Sequence, residues 1–206
     1  FRNQPVGCTA TIIFQMFREQ GEEIPKQIAG LLCSAILSDT LMFRSPTCTF
    51  LDKMAAEELA NIAGIVCEEY AKERFAAGSD LKQRTAEEIF YQDFKKFEVD
   101  DKTLGIGQIN SMSDSELQEI RERIMPYMEK VSGERGTDMV FFMLTNILEE
   151  STEVLCYGEG AQELVAAAFH VTVSDHRGMV CNMVSRKKQM VPSLISTLGQ
   201  LADEVR

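Results

Sequence analysis

Residues 85–109 read TAEEIFYQDFKKFEVDDKTLGIGQI, and the fold class turns on this stretch. As far as Tyr91 the apolar residues recur at helical spacing. Beyond it come two short apolar or alternating runs, 97–99 and 105–109, bounded by charged and glycine-containing segments, which read as strands. A helical texture gives way here to a mixed one.

Working outward towards the N-terminus, the chain reads as nearly all helix. The spacing predicts helices over 67–77 and 52–63, with Gly78 and Gly64 suited to left-handed caps. Phe43-Arg44-Ser45-Pro46-Thr47-Cys48-Thr49 reads as a loop, since it carries a central proline and several hydroxyls. A helix over 25–36 is expected to bury Ile28, Leu31, Leu32, Ala35 and Ile36 on one stripe, and Ser38-Asp39-Thr40 ends it with polar residues. The first helix covers 8–19, after a turn at Pro5-Val6-Gly7, and Gly21 stops it.

Towards the C-terminus strands alternate with helices. Ser113 with Glu116 three residues on is a capping-box pattern that opens a helix to about residue 132. Strands are expected at 139–144, 154–157 and 180–184, and helices at 160–169 and 191–205, the latter with Pro192 in its first turn. The expected architecture is α/β: a mostly helical region 1–80, then a mixed α/β domain 85–206, with the boundary between 78 and 85. No internal repeat or low-complexity tract breaks this reading.

With 206 residues, 45% hydrophobic and 26% charged, the chain can bury a real core. Its net charge of −11 and pI near 4.7 set it against nucleic-acid backbones, and no nucleic acid is expected as a partner. Six cysteines without a C-x-x-C pair read as reduced core thiols of a cytoplasmic protein. No run approaches the roughly 20 apolar residues of a membrane span, so no membrane partner is expected. The chain starts at Phe1 rather than Met, and a further segment upstream is expected.

Few residues carry chemistry. Ser185-Arg186-Lys187-Lys188-Gln189 leads into the final helix, where unpaired N–H groups and adjacent cations together suit a phosphate. A solvated cationic cluster fits the same pattern. Lys95, in Asp93-Phe94-Lys95-Lys96-Phe97, is a second candidate, although a lone lysine is ordinarily a solvated charge. Asp39 ends an apolar segment, where a carboxylate serves either a hard cation or a backbone cap. His170 and His176 lack ligand spacing, and no Walker A loop, dinucleotide fingerprint or Gly-x-Ser-x-Gly elbow is present.

Four segments together resemble one family, the family II inorganic pyrophosphatases of the DHH phosphoesterase superfamily. They are Pro5 to Ile12, the run GLLCSAILSDTLMFRSPTCT at 30–49, Asp93-Phe94-Lys95, and SRKKQMVP at 185–192. The resemblance implies a manganese-dependent hydrolase that cuts pyrophosphate into two orthophosphates, with Mn2+ or Co2+ bound and Mg2+ accompanying the substrate. It implies that residues 1–80 are the C-terminal part of a DHH domain and 85–206 the DHH-associated substrate-binding domain. By position it makes Asp39 a metal ligand and Lys95, Arg186 and Lys187 the grip on substrate phosphates. It further implies a homodimer and, in some members, CBS regulatory domains that bind adenine nucleotides. The Asp-His-His motif and most metal ligands of that family would precede Phe1, so the chain alone is expected to be inactive; an alternative of a different class is that the chain by itself is a non-catalytic anion-binding and assembly module. A DHH phosphoesterase acting on polyphosphate or a nucleotide is the remaining alternative, and the SRKKQ run speaks against it.

Overall fold

The structure is a computed structural model, and it describes residues 2–78, 81, 84–99, 101–132 and 136–204. It divides into two compact units, Phe1–Gly78 and Ser79–Arg206. The boundary stretch 78–85 includes 79, 80, 82 and 83, which lie outside the described residues.

The described residues of the first unit form four helices: α1 (Thr9–Gln20), α2 (Lys26–Asp39), α3 (Phe50–Ala63) and α4 (Cys67–Gly78). Gly21 and Gly64 close α1 and α3 in the left-handed region, each at φ 69°, where a side chain would be strained. Gly78 instead ends α4 as its last helical residue. Thr49 and Asp52 form a complete capping box at the start of α3.

The buried face of α2 differs from the expected stripe. Ala29, Cys33, Ile36 and Leu37 are buried, whereas Ile28 and Leu31 are exposed at 39% and 68%. The reason lies in the partner helix. α3 presents Ala55, Ala56, Ala60 and Ala63 around Leu59, and a small-residue face packs closely only on another, so α2 turns Ala29 and Cys33 towards it.

The second unit is a six-stranded sheet in the order β1-β2-β3-β4-β6-β5. Its strands are β1 (Phe94–Val99), β2 (Lys102–Ser111), β3 (Met139–Asn146), β4 (Ser151–Tyr157), β5 (Val173–Ser174) and β6 (Arg177–Cys181). Among the described residues only β2 and β3 run parallel, and α6 (Asp114–Val131) makes the crossover such a pair requires. All eight residues of β3 are buried, because both faces of the sheet are covered. One face packs α5 (Ala86–Gln92) and α6 through Ile89, Phe90, Ile120 and Ile124 against Phe142, Leu144 and Leu155. The other packs α7 (Ala161–Phe169) and α8 (Val191–Glu204) through Leu164, Val165 and Leu194 against Phe141, Met143 and Val154.

Gly105 and Gly107 are two glycines that packing requires. A Cβ would meet the Phe94 ring at 2.5 Å from Gly105 and the Phe142 ring at 2.6 Å from Gly107, so these aromatics lie directly on the bare strand.

Three expectations shift. The strand expected at 180–184 is β6 at Arg177–Cys181, paired with the two-residue β5 through a tight hairpin. Its turn residues, Asp175 and His176, sit at φ 49° and 62°, a geometry usually signalled by Asn-Gly and so not legible here. The expected capping box at Ser113 is half formed: its Oγ accepts from the Glu116 N–H at 3.4 Å, but the Glu116 carboxylate turns to the Ser111 hydroxyl. A π-helical turn, Arg186–Met190, precedes α8, and the expected end of that helix at 205 lies outside the described residues.

Candidate functional site

In the second unit the cationic run is held from below by uncharged side chains. The Ser185 Oγ accepts from the Lys188 N–H at 3.2 Å, and the Ser185 carbonyl accepts from the N–H groups of Gln189 and Met190 at 3.0 and 3.2 Å. Gln189 folds back on the preceding loop. Its Oε1 accepts from the N–H of both Val184 and Ser185 at 3.0 Å, and its Nε2 donates to the Asn182 carbonyl at 2.6 Å. From β2, the Gln108 Nε2 donates to the Val184 carbonyl at 3.1 Å. Two amides thus satisfy the backbone of a loop that makes no ladder bonds after Cys181, and they set where the cations stand.

Arg186 is buried, at 8% exposure. Its Nη1 donates to the carbonyls of Asp93 and Ile106 at 2.5 and 3.2 Å, and its Nη2 donates to the Asp93 Oδ1 at 2.7 Å. A buried guanidinium requires such pairing, and Asp93, at the mouth of β1 and 51% exposed, provides it. The Nε–H and one Nη2–H remain outside these bonds.

Lys95 follows Asp93 by two residues and lies opposite Ile106, the residue whose carbonyl Arg186 engages. The structure places Lys95 inside β1 rather than ahead of it. Strand alternation puts it on the same face as Phe97 and Val99, which pack on the α7 and α8 side. The turn Arg186–Met190 leads into α8 on that side. Lys95 and Lys187 are exposed. The structure therefore brings Arg186 to the edge strand β1 that carries Lys95, through Asp93 and Ile106, with Lys187 as the next residue along.

Asp39 lies in the first unit, as the exposed last residue of α2. The buried Cys8 thiol stands next to it; burial, and then its hydrogen bond to Asp39, push that thiol up to about 12. Immediately beyond, Leu41, Met42 and Phe43 occupy the left-handed region at φ 48°, 51° and 70°. Such a turn costs about 1–2 kcal/mol per residue and persists only where its surroundings impose it. Thr40 does so from a fully buried position: its Oγ1 donates to the Ile36 carbonyl at 2.6 Å and accepts from the Phe43 N–H at 3.2 Å. Its own carbonyl accepts from the Ser45 N–H at 2.8 Å.

Asp52 ties this corner together at 0% exposure. Its carboxylate accepts from the N–H of Gly7 (2.8 Å), Cys8 (3.3 Å) and Thr49 (2.8 Å) and from the hydroxyls of Thr11 (2.5 Å) and Thr49 (2.6 Å). Burial alone would raise its pKa; the bonds from Thr11, Thr49 and Gly7 outweigh burial and hold it below the ordinary aspartate value.

Among the described residues no three His, Cys, Asp or Glu side chains converge as a metal-ligand set. Asp39 with one protonated thiol does not make a two-metal centre, which needs several carboxylates or imidazoles. His176 stacks on Tyr157 at 4.3 Å, and its Nδ1 lies 3.0 Å from the Cys156 carbonyl; His170 ends α7. Asp52, Asp93, Gln108 and Gln189 were not singled out by sequence reasoning. A Thr-x-x-Asp spacing at 49–52 could have revealed Asp52 as a cap; nothing local reveals that Asp93 pairs with a residue 93 positions away.

The DHHA2 domain matches residues 72–197. The manganese-dependent inorganic pyrophosphatase of Bacillus subtilis is 40% identical over 200 residues, covering 97% of this chain and 64% of that protein. The cobalt-dependent inorganic pyrophosphatase of Clostridium perfringens is 41% identical over 194 residues, covering 94% of this chain and 35% of that protein. The crystal structure of a Methanococcus jannaschii protein, assigned to the family II inorganic pyrophosphatases, superposes with a TM-score of 0.79 at 38% identity, covering 94% of this chain and 66% of that one. The chain spans less than two thirds of the length of each of these proteins.

Proposed function

The chain belongs to the DHHA2 domain family, and from that premise we propose that it is the substrate-holding portion of a manganese- or cobalt-dependent inorganic pyrophosphatase, which hydrolyses pyrophosphate to two orthophosphates. The observation that carries this reading is the likeness, over 94% and 97% of this chain, to a cobalt- and a manganese-dependent pyrophosphatase. In this reading residues 1–80 are the C-terminal part of a DHH domain and 85–206 the DHH-associated domain.

Lys187 and Lys95 bring exposed, compact charges to phosphate oxygens and offset the negative charge that grows as the bond to the leaving phosphate breaks. Arg186 is locked by Asp93 and two carbonyls, so its remaining N–H donors are aimed before substrate arrives and lose little freedom on binding. Gln189 and Gln108 keep Lys187 on its turn. Manganese or cobalt ions, with magnesium on the substrate, would supply a water of lowered pKa as nucleophile. Asp39 is the one carboxylate this chain is proposed to contribute to them, so the metal centre calls on ligands from elsewhere.

Phosphate release from pyrophosphate with added manganese tests the proposal. The full-length protein should turn over, Lys187→Ala should lose about 100-fold in kcat/KM, and this 206-residue chain alone should be inactive. A full-length protein inert on pyrophosphate overturns the reading. A homodimer, a cytoplasmic location and CBS domains that bind adenine nucleotides belong to the same proposal, and sedimentation of the full-length protein with and without nucleotide examines the first and last. A second reading, that the isolated chain is an anion-binding module without catalysis, is favoured by the lack of a ligand set among its described residues.

A further inference from the structure

Three helices of the first unit leave two thiols at one oxygen. Cys33, fully buried on α2, donates to the Ala56 carbonyl of α3 at 3.5 Å. Cys67, half-buried at the first residue of α4, donates to the same carbonyl at 3.9 Å. Both are free thiols, and the proposed hydrolase uses neither. Two donors sharing one acceptor stand side by side, and they come from helices that pack on each other.

We propose that Cys33 and Cys67 form a dithiol site that a peroxide closes into a disulfide, tying α2 to α4. Burial pushes the Cys33 thiol up to about 12. Burial raises Cys67 as well, but a hydrogen bond from Cys33 favours its thiolate, so Cys67 ionises first. The Cys67 thiolate attacks one peroxide oxygen; the O–O bond breaks, Cys67 becomes a sulfenic acid, and the hydroxide released takes up a proton as water. Cys33 then attacks the Cys67 sulfur, the S–S bond forms, the S–O bond breaks, and a second water leaves with the Cys33 proton. Two thiols are oxidised and one peroxide is reduced to two waters. Because both thiols are raised, closure is slow at neutral pH and quickens as pH rises.

The test treats the protein with hydrogen peroxide, blocks remaining thiols by alkylation, and maps the peptides by mass spectrometry. The expected result is a cross-linked peptide pair, lighter by two hydrogens, that a dithiol reductant separates. The melting temperature of the first unit should rise by on the order of 10 °C on oxidation, and Cys67→Ser should abolish both changes. Sulfinic acid at Cys67 with Cys33 still open to alkylation after unfolding overturns the proposal, as does cross-linking through Cys48 or Cys181 alone. The mapping needs no variant, so a Cys67→Ser protein that fails to fold leaves the outcome intact.

Discussion

Asp52 in the helical unit and Arg186 in the α/β unit are the two buried charges among the described residues, at 0% and 8% exposure, and they are satisfied by opposite means. Asp52 has no cation beside it in its network; backbone N–H groups and threonine hydroxyls from the 5–8 turn, α1 and the start of α3 surround it. Arg186 has a carboxylate partner that is half in water. A charge enclosed by dipoles binds several segments to one another and has nothing left to offer a ligand. A charge paired at the surface keeps donors free and stays near solvent. The first arrangement serves structure and the second suits recognition.

The comparison breaks most easily at Asp52. Asp52→Ala leaves five donors unpaired and is expected to cost about 4 kcal/mol, enough to open the first unit. Hydrogen exchange should then rise across Thr9–Ala63 while β2 to β4 stay protected; protection in α1 to α3 close to that of the parent protein would show that the carboxylate is dispensable. The same residue sets an acid limit. Its pKa is lowered on folding, so its contribution is present above the unfolded value near 3.8 and is lost as pH falls through the still lower folded value. Acid denaturation followed by circular dichroism below pH 4 should therefore be shallower in Asp52→Asn than in the parent.

In the α/β unit the larger sensitivity is expected in the core. Gly107→Ala drives a Cβ against the Phe142 ring, 2.6 Å away, and should cost about 3 kcal/mol by urea denaturation. Asp93→Ala removes the partner of Arg186, but with water at hand to screen it the cost should be only about 1–2 kcal/mol. A loss as large as that for Asp52→Ala would erase the distinction between the two charges. Smallest of all, Lys187→Ala should change stability by less than about 0.5 kcal/mol, because this residue is exposed; a larger shift would make it structural.

The change from helices to strands after Tyr91 was legible because apolar spacing changes from near 3.6 to near 2 there, and spacing depends on a few neighbouring residues. The buried stripe of α2 was not. Ile28 and Leu31 outrank Ala29 and Cys33 in hydrophobicity, yet the alanine-lined α3 selects the smaller residues. The β5–β6 hairpin escaped notice because Asp175 and His176 adopt positive φ without glycine. Within the candidate site, the cationic run was visible as residue type and context, while its supports were not: Gln189 works by folding back on its own backbone, and Asp93 by reaching Arg186 across the sheet.

The sequence by itself determined the passage from helices to a mixed α/β region, the acidic net charge and the identity of the cations, since composition and local periodicity are properties of near neighbours. Tertiary structure alone decided that Arg186 is sealed by Asp93 while Lys187 is exposed, that Asp39 is followed by a left-handed turn clamped by Thr40, and that Cys33 and Cys67 share one carbonyl. The Arg186–Asp93 pair and the shared carbonyl join residues distant along the chain, and only packing fixes which distant groups meet; the Thr40 clamp is local, but packing is what buries Thr40.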